Sequence, residues 1–284
     1  MQKMGKKLLV LIIIAVNCIT IMVSFGTWVS NAETSSNVNT KDRLEAIKEK
    51  GVLTVASSND VPFAYIDSKT NEFTGIDAEI ISEVARRLGI NKVEMKKVAF
   101  ENLLMELNNN NNIDMVTDGM YVTDERKKEA LFTNIWYREP EAIITLKVSR
   151  IISKEDLKNA VVGVQLATAF VELAQQWQKD GLVKEVGIFG SKSELLLAVN
   201  DGKISGGIEE AVGFSYLIEQ NKNLYLKAIP LDIFGEIGAG VRQGDTTLLN
   251  AVNEKVDELK KDKTLLKILE KYGLNDSFII PPSV

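Results

Sequence analysis

The sequence predicts an α/β protein built from two lobes. Short apolar segments typical of buried strands alternate with amphipathic segments typical of helices between residues 51 and 272, which favours sheets covered by helices. The pattern restarts after about residue 148. A length of 284 residues suits about two domains or one large one, and 45% hydrophobic residues allow a sizeable core.

The first part of the chain contains apolar runs typical of strands and apolar positions at helical spacing. Residues 51–56 predict a buried strand, and apolar positions at helical spacing follow Asp77, which can cap a helix that Gly89 ends. The remaining expected elements are a short helix at 100–107, an asparagine-rich loop at 108–112, a strand at 113–117, a helix capped by Thr123 and an extended run at 143–147.

The second part repeats the alternation. The expected strands are at 161–164, 183–186, 204–208 and 224–228, with a further extended run at 237–241. The expected helices are at 168–178, 192–200, 211–220, 246–261 and 264–272.

The N-terminus has the pattern of a targeting segment. Lys3, Lys6 and Lys7 precede an apolar run at 8–29, and small residues then stand at the −3 and −1 positions of a cleavage site that ends at Ala32. The sequence therefore predicts a segment at 1–32 that is removed or retained outside the fold.

Three fates of this segment stay open. A cleaved signal peptide is the first interpretation, but the apolar run is long enough to be kept as a membrane anchor, and lipidation at Cys18 is the third. All three place the rest of the chain on the outer side of the membrane, secreted or tethered to it, and in the periplasm if there are two membranes. Residues 33–41 are polar and predict a linker.

Composition excludes several function classes. The chain has no histidine, which removes histidine-based triads and histidine metal ligands, and its single cysteine permits no intrachain disulfide. Its net charge is −5, and −8 without residues 1–32, which hold three lysines and no acid. An acidic chain without a basic cluster is not expected to bind nucleic acid.

A series of motifs in a fixed order gives the chain a family resemblance. They are Pro62-Phe63-x-Tyr65, Phe73-x-Gly75-Ile76-Asp77, Arg87-Leu88-Gly89, Phe100-Glu101-x-Leu103, Val122-Thr123-Asp124-Glu125-Arg126-Lys127-Lys128 and Gly240-Val241-Arg242. With these motifs the chain resembles the bacterial extracellular solute-binding proteins of polar amino-acid ABC importers, family 3, over roughly residues 42–274.

The resemblance implies a type II periplasmic-binding-protein fold, in which two lobes are joined by two crossover hinge strands. The first lobe is expected at 42–145 plus 231–284 and the second at 146–230. A ligand binds between the lobes, and hinge closure buries it.

The resemblance also implies ligand-binding residues in the first lobe. Arg126 corresponds to the arginine that binds the ligand carboxylate, for which a planar guanidinium is well suited. Gly119 and Tyr121 belong to the loop before it, although relatives commonly have serine or threonine at the position of Tyr121. Phe100 corresponds to the aromatic residue that covers the ligand.

Further ligand contacts are implied in the rest of the cleft. Thr168 and Ala169 belong to the turn of the second lobe, where a helix start offers free N–H groups. Glu210 stands where relatives have the aspartate that pairs with the ligand ammonium. Asp60 and Asp118 also fall at cleft positions, and three acids would favour a ligand with an additional positive charge.

Each of these residues also has a purely structural interpretation. Arg126 could pair with nearby acids on the surface, Tyr121 and Phe100 could be core aromatics, and Thr168 could be an ordinary helix cap. The acids could cap loops or be solvated.

The expected function is the substrate-binding component of an ABC importer. It would capture a polar or cationic amino acid, or a related zwitterion, and deliver it as a monomer to a membrane permease, with no metal or cofactor. Two alternatives remain: an anchored extracellular sensor, and an enzyme on the same fold that uses carboxylates such as Glu210 together with Tyr121.

Overall fold

The computed structural model describes residues 42–221 and 223–281. The predicted targeting segment at 1–32 and the linker at 33–41 lie outside the described residues.

The strands of the described residues are β1 (Val52–Ser57), β2 (Tyr65–Ile66), β3 (Phe73–Thr74), β4 (Lys92–Lys97), β5 (Met115–Val116), β6 (Leu131–Phe132), β7 (Tyr137–Leu146), β8 (Val161–Gln165), β9 (Glu185–Phe189), β10 (Gly206–Glu210), β11 (Leu226–Ile237) and β12 (Gly240–Val241). The α-helices are α1 (Arg43–Lys50), α2 (Ile76–Arg87), α3 (Leu103–Asn109), α4 (Asp124–Glu129), α5 (Phe170–Lys179), α6 (Lys192–Asn200), α7 (Ala211–Gln220), α8 (Thr246–Lys261) and α9 (Thr264–Glu270). Short 3₁₀ helices lie at Phe100–Asn102, Lys154–Leu157 and Asp276–Phe278.

Two five-stranded sheets form the centres of two lobes, which confirms the predicted fold class. The first has the order β4-β1-β5-β12-β6 and the second the order β11-β7-β10-β8-β9, while β2 and β3 form a small hairpin. Each large sheet combines parallel and antiparallel pairs. Among the described residues, no helix is long and apolar enough to cross a membrane.

Helix α2 shows why the first lobe folds as it does. Its buried residues Ile76, Ile80, Ile81 and Val84 recur at helical spacing, so one face joins the main core. The opposite face carries exposed charge, such as Arg86.

Asp77 does not cap α2, contrary to the prediction. The helix begins at Ile76, and Asp77 is fully buried inside its first turn. Its carboxylate accepts hydrogen bonds from the Thr117 hydroxyl at 2.9 Å, the Gly119 N–H at 2.8 Å and the Tyr137 hydroxyl at 2.8 Å. The side chain therefore ties the loop after β5 to the helix.

Gly75 explains this shift of the helix start. Its φ is +117°, and a Cβ there would lie 2.4 Å from the carbonyl oxygen of Phe63. The backbone enters the helix through a conformation that only glycine adopts readily, without a capping side chain.

Several predicted strands are displaced or were missed. The strands expected at 183–186 and 204–208 lie at Glu185–Phe189 and Gly206–Glu210. Strand Lys92–Lys97 was not predicted because it has charged residues at four of its six positions.

The pair β7 and β11 is longer than the runs predicted at 143–147 and 224–228. The two strands pair antiparallel from Leu146 opposite Leu226 to Tyr137 opposite Ile237, with an irregularity between Pro230 and Phe234. The predicted lobe boundaries near 145 and 231 fall inside these strands and stay a prediction.

Candidate functional site

Arg126 lies where the two lobes approach each other. The Thr123 hydroxyl accepts the Arg126 N–H at 3.3 Å and so starts helix α4 as predicted. The guanidinium donates to the carbonyl of Tyr121 at 2.7 Å and to that of Ala167, in the second lobe, at 3.0 Å. Its carbon lies 5.4 Å from the centre of the Phe100 ring. Burial lowers the pKa of Arg126 to about 10, so the group stays charged at neutral pH.

A cavity of about 320 Å³ borders this guanidinium. Its lining includes four of the predicted residues: Phe100 and Arg126 from the first lobe, and Thr168 and Ala169 from the second. Glu172 of α5 also lines it. The structure thus brings these predicted residues together around one space.

Thr168 does not begin or cap α5, contrary to the prediction. The helix starts at Phe170, and the Thr168 hydroxyl donates to the carbonyl of Gln165 at 2.7 Å. Ala167 has a φ of +62°, so the turn before the helix is left-handed at a residue with a side chain. The local turn therefore uses the hydroxyl that the sequence suggested for capping.

Tyr121 lies in the interior, with 7% of its surface exposed. Its ring meets Phe170 edge-on, with centroids 5.6 Å apart, and a Cβ at Gly235 would overlap the Tyr121 ring at 1.9 Å. The absence of a side chain at Gly235 therefore makes the space for this ring. Among the described residues the Tyr121 hydroxyl has no hydrogen-bond partner, and burial followed by the charge of Glu210 raises its pKa well above the usual value.

Asp60 and Glu210 meet a cation that the sequence analysis did not single out. The Lys192 Nζ lies 3.0 Å from an Asp60 carboxylate oxygen, 3.2 Å from Glu210 and 3.8 Å from Glu209. Nζ also lies 5.4 Å from the centre of the Phe63 ring. The predicted ammonium-binding acids thus form a buried ion cluster with Lys192.

Protonation in this cluster follows the balance of burial and charge. Burial alone would lower the pKa of Lys192, but the charges of Asp60, Glu210 and Glu209 raise it well above the usual value. Burial alone would raise the pKa of Glu210, but the charge of Lys192 and hydrogen bonds hold it below the usual value. Burial raises the pKa of Asp60 and, to a greater extent, that of Glu209.

Two further buried glutamates extend the acidic cluster. Glu139 accepts the N–H of Val212 at 2.9 Å and that of Gly213 at 3.3 Å, and Glu141 lies opposite Glu210 on the neighbouring strand. Burial raises the pKa of Glu141 to about 7 and that of Glu139 well above the usual value. The sequence analysis missed both, although acids two residues apart in a strand point to the same face.

Asp118 and Gly119, which were predicted to contact the ligand, make intramolecular contacts in the structure. Asp118 accepts hydrogen bonds from the Ser57 hydroxyl and, at 3.1 Å, from the Ser58 N–H. Gly119 has a φ of +60°, and a Cβ there would lie 2.8 Å from the Phe63 ring. Both residues shape the loop that leads to Tyr121, and a ligand contact for either stays a prediction.

Two α/β lobes that meet at a polar, partly buried cleft define a class of hinged binding protein. The sequence model of the bacterial extracellular solute-binding proteins, family 3, matches residues 53–275. The chain therefore belongs to this family.

Individual relatives agree with this assignment. The L-cystine-binding protein TcyA of Bacillus subtilis (strain 168) is 27% identical over 248 residues, which is 84% of this chain and 88% of that protein. A solved ancestral arginine-binding protein bound to arginine is 31% identical, has a TM-score of 0.70 and covers 78% of this chain and 98% of its own. A solved ancestral amino acid-binding protein, AncCDT-1, described as a precursor of cyclohexadienyl dehydratase, is 28% identical with a TM-score of 0.70, over 82% of this chain and 99% of its own.

Proposed function

We propose that the protein is the extracytoplasmic substrate-binding component of an ABC importer and captures an amino acid or related zwitterion between its lobes. The observation that carries this proposal is the placement of Arg126, which borders a cavity lined from both lobes. Membership of the family and the similarity to amino acid-binding proteins support it.

In this proposal Arg126 binds the ligand carboxylate. Its two N–H contacts go to the carbonyls of Tyr121 and Ala167, and a carboxylate is a stronger acceptor than either. Phe100 covers the ligand from the first lobe, while the turn at Thr168 and Ala169 closes from the second.

The ammonium end of the ligand meets the acidic cluster. Asp60 contributes from the first lobe and Glu210 from the second, and Glu139, Glu141 and Glu209 add buried acids around them. The charged carboxylate of Glu210 favours a cationic or polar amino acid over an acidic one, since a second carboxylate on the ligand would face a like charge.

Binding is coupled to lobe closure, and the closed monomer docks on a membrane permease that a separate ATPase drives. Delivery from outside the cytoplasm fits the extracellular family to which the chain belongs. We propose that the N-terminal segment either directs secretion or tethers the protein to the outer face of the membrane.

We propose transport binding rather than catalysis. The likeness to a precursor of a dehydratase and the raised pKa of Glu141 are the features that favour an enzyme. Against it, Asp60 and Glu210 are paired with Lys192, and Glu139 accepts backbone N–H groups. An ion pair suits binding better than proton transfer to a substrate.

A thermal-shift screen tests the proposal. A panel of amino acids, opines and compatible solutes should contain a ligand that raises Tm, because a ligand that binds only the native state stabilises it by about 2.7 kcal/mol at a hundred times its Kd. Arg126→Ala should abolish the shift for a carboxylate ligand.

Arg86→Ala is the matched control, because Arg86 is an exposed arginine of α2 paired with Glu83, and it should leave the shift unchanged. No hit in the panel would contradict the proposed function. A full shift in Arg126→Ala would contradict the role of Arg126 alone.

A further inference from the structure

Lys192 connects the two lobes through one ammonium group. It is the first residue of α6, and Ser191 caps that helix. Its Nζ donates to both carboxylate oxygens of Asp60, at 3.0 and 3.1 Å, and pairs with Glu210 at 3.2 Å. Asp60 follows β1 of the first sheet, whereas Lys192 and Glu210 belong to the second lobe.

The environment of this ammonium group is largely shielded from solvent. The side chains of Lys192 and Asp60 are 12% and 19% exposed, and that of Glu209 is 2% exposed. The face of Phe63 covers Nζ from the first lobe. A buried charge is costly unless it is paired, and Asp60 and Glu210 supply that pairing from opposite lobes.

The chemistry matches that of an amino acid ligand. A lysine side chain and an α-amino group both end in an ammonium with three donor hydrogens. The acids that Lys192 contacts, Asp60 and Glu210, are those proposed above for the ligand. Lysine also has a flexible four-carbon stem, which lets the charged end leave while the backbone of α6 stays in place.

We propose that Lys192 is an internal competitor of the ligand. Its ammonium group forms a cross-lobe ion pair with Asp60 and Glu210, here called the clasp, and the ligand ammonium has to displace Lys192 from these acids. Lys192 is thereby a specificity-determining residue, because a ligand binds well only if its cation holds these acids better than Lys192 does. The inference rests on the proposed function for the identity of the ammonium-binding acids, and on direct contacts for the clasp.

Two consequences follow from a clasp of this kind. The lobes stay closed part of the time without ligand, because Lys192 supplies a cross-lobe contact. The apparent affinity for ligand is reduced, because only the fraction of molecules with Lys192 displaced is competent to bind.

Small-angle X-ray scattering of ligand-free protein tests the clasp itself. Lys192→Met, which keeps most of the unbranched side chain and removes its charge, should increase the radius of gyration relative to wild type. Asp60→Asn, which weakens the clasp from the opposite lobe, should do the same. Lys203→Met is the control, because Lys203 pairs with Asp201 on the exposed surface of the same lobe, and it should scatter like wild type.

Calorimetric titration with L-arginine tests the competition. Lys192→Met should bind L-arginine about tenfold more tightly than wild type, the factor that one charge-assisted hydrogen bond typically represents. Lys192→Arg retains a charged donor and should stay close to the wild-type affinity. Circular dichroism establishes that each variant is folded.

The outcomes separate this inference from the proposed function. An unchanged radius of gyration in both Lys192→Met and Asp60→Asn would overturn the clasp. Weaker L-arginine binding by Lys192→Met would overturn the competition, since it would mean that Lys192 holds the ligand. If no variant bound L-arginine, arginine would be excluded as the ligand, and the scattering comparison would still decide the clasp.

Discussion

At the scale of single residues, the Tyr121 hydroxyl is a buried polar group that lowers the stability of the folded protein. It is buried among Phe170, Gly235 and nearby acids without a hydrogen-bond partner among the described residues. A buried, unpartnered polar group costs about 1–3 kcal/mol.

Tyr121→Phe is therefore expected to raise the free energy of unfolding of the ligand-free protein by about 1 kcal/mol. The ring and its packing are kept, and only the unpartnered hydroxyl is lost. Urea denaturation measures the change. Tyr216→Phe is the control, because the Tyr216 hydroxyl lies 3.3 Å from that of Tyr65, and it should not stabilise the protein. A lower urea midpoint in Tyr121→Phe would show that this hydroxyl contributes to stability.

At the scale of elements, helix α4 positions Arg126, the residue that we propose binds the ligand carboxylate. The helix is only six residues long, so its start depends strongly on the Thr123 cap. Thr123→Ala should lower the free energy of unfolding by about 1 kcal/mol. It should also weaken ligand binding, because the backbone that positions the Arg126 guanidinium becomes less ordered.

Urea denaturation and calorimetric titration with the ligand found in the screen measure these two effects. Thr246→Ala is the control, since Thr246 is the exposed first residue of α8, where Asp245 stands at the cap position. Equal losses in both variants would mean that the Thr123 cap has no particular role.

The sequence predicted the amphipathic helices well and the strands less well. Helices α6, α7 and α8 lie at the predicted positions, and in α8 the buried residues Leu248, Val252, Val256 and Leu259 recur at helical spacing. Strand β7 was recognised only at its apolar end, because its first half, Tyr-Arg-Glu-Pro-Glu, carries the buried acids Glu139 and Glu141 and the exposed Arg138.

The candidate site likewise contains residues that the sequence predicted and others that it did not. Arg126 and Phe100 could be predicted because family motifs contain them, and the structure places them at one cavity. Lys192 could not, because the local sequence Ser-Lys-Ser-Glu is that of an ordinary helix start. Only the approach of the two lobes brings its ammonium group to Asp60.

At the scale of the whole molecule, buried carboxyl groups make stability depend on pH. Burial raises the pKa of Asp77 to about 6 and the pKa values of Asp118 and Glu141 to about 7. Between pH 4.5 and 7 the native state then binds more protons than the unfolded state. Stability from these groups is fully present below their unfolded pKa and is lost as pH rises towards the folded value.

Glu141→Gln should remove one part of this dependence. A shift of the Glu141 pKa from 4.5 to about 7 corresponds to about 3 kcal/mol, so the variant should be more stable than wild type at about pH 8 and similar at about pH 5. Urea denaturation at the two pH values measures the difference. Glu45→Gln, a change at an exposed glutamate of α1, is the control. Parallel pH profiles for wild type and Glu141→Gln would contradict the raised pKa.

The order of strands in the two sheets has a consequence for a chain that emerges from its N-terminus first. The second sheet consists of consecutive strands, β7 to β11, and is complete once residue 237 is available. The first sheet needs β12, where Gly240 pairs with both Val116 and Phe132, so its centre stays open until the later lobe has been made. The sheet that holds the earliest strands is thus the last to be finished, and the cleft cannot be complete before the residues up to Val241 have emerged.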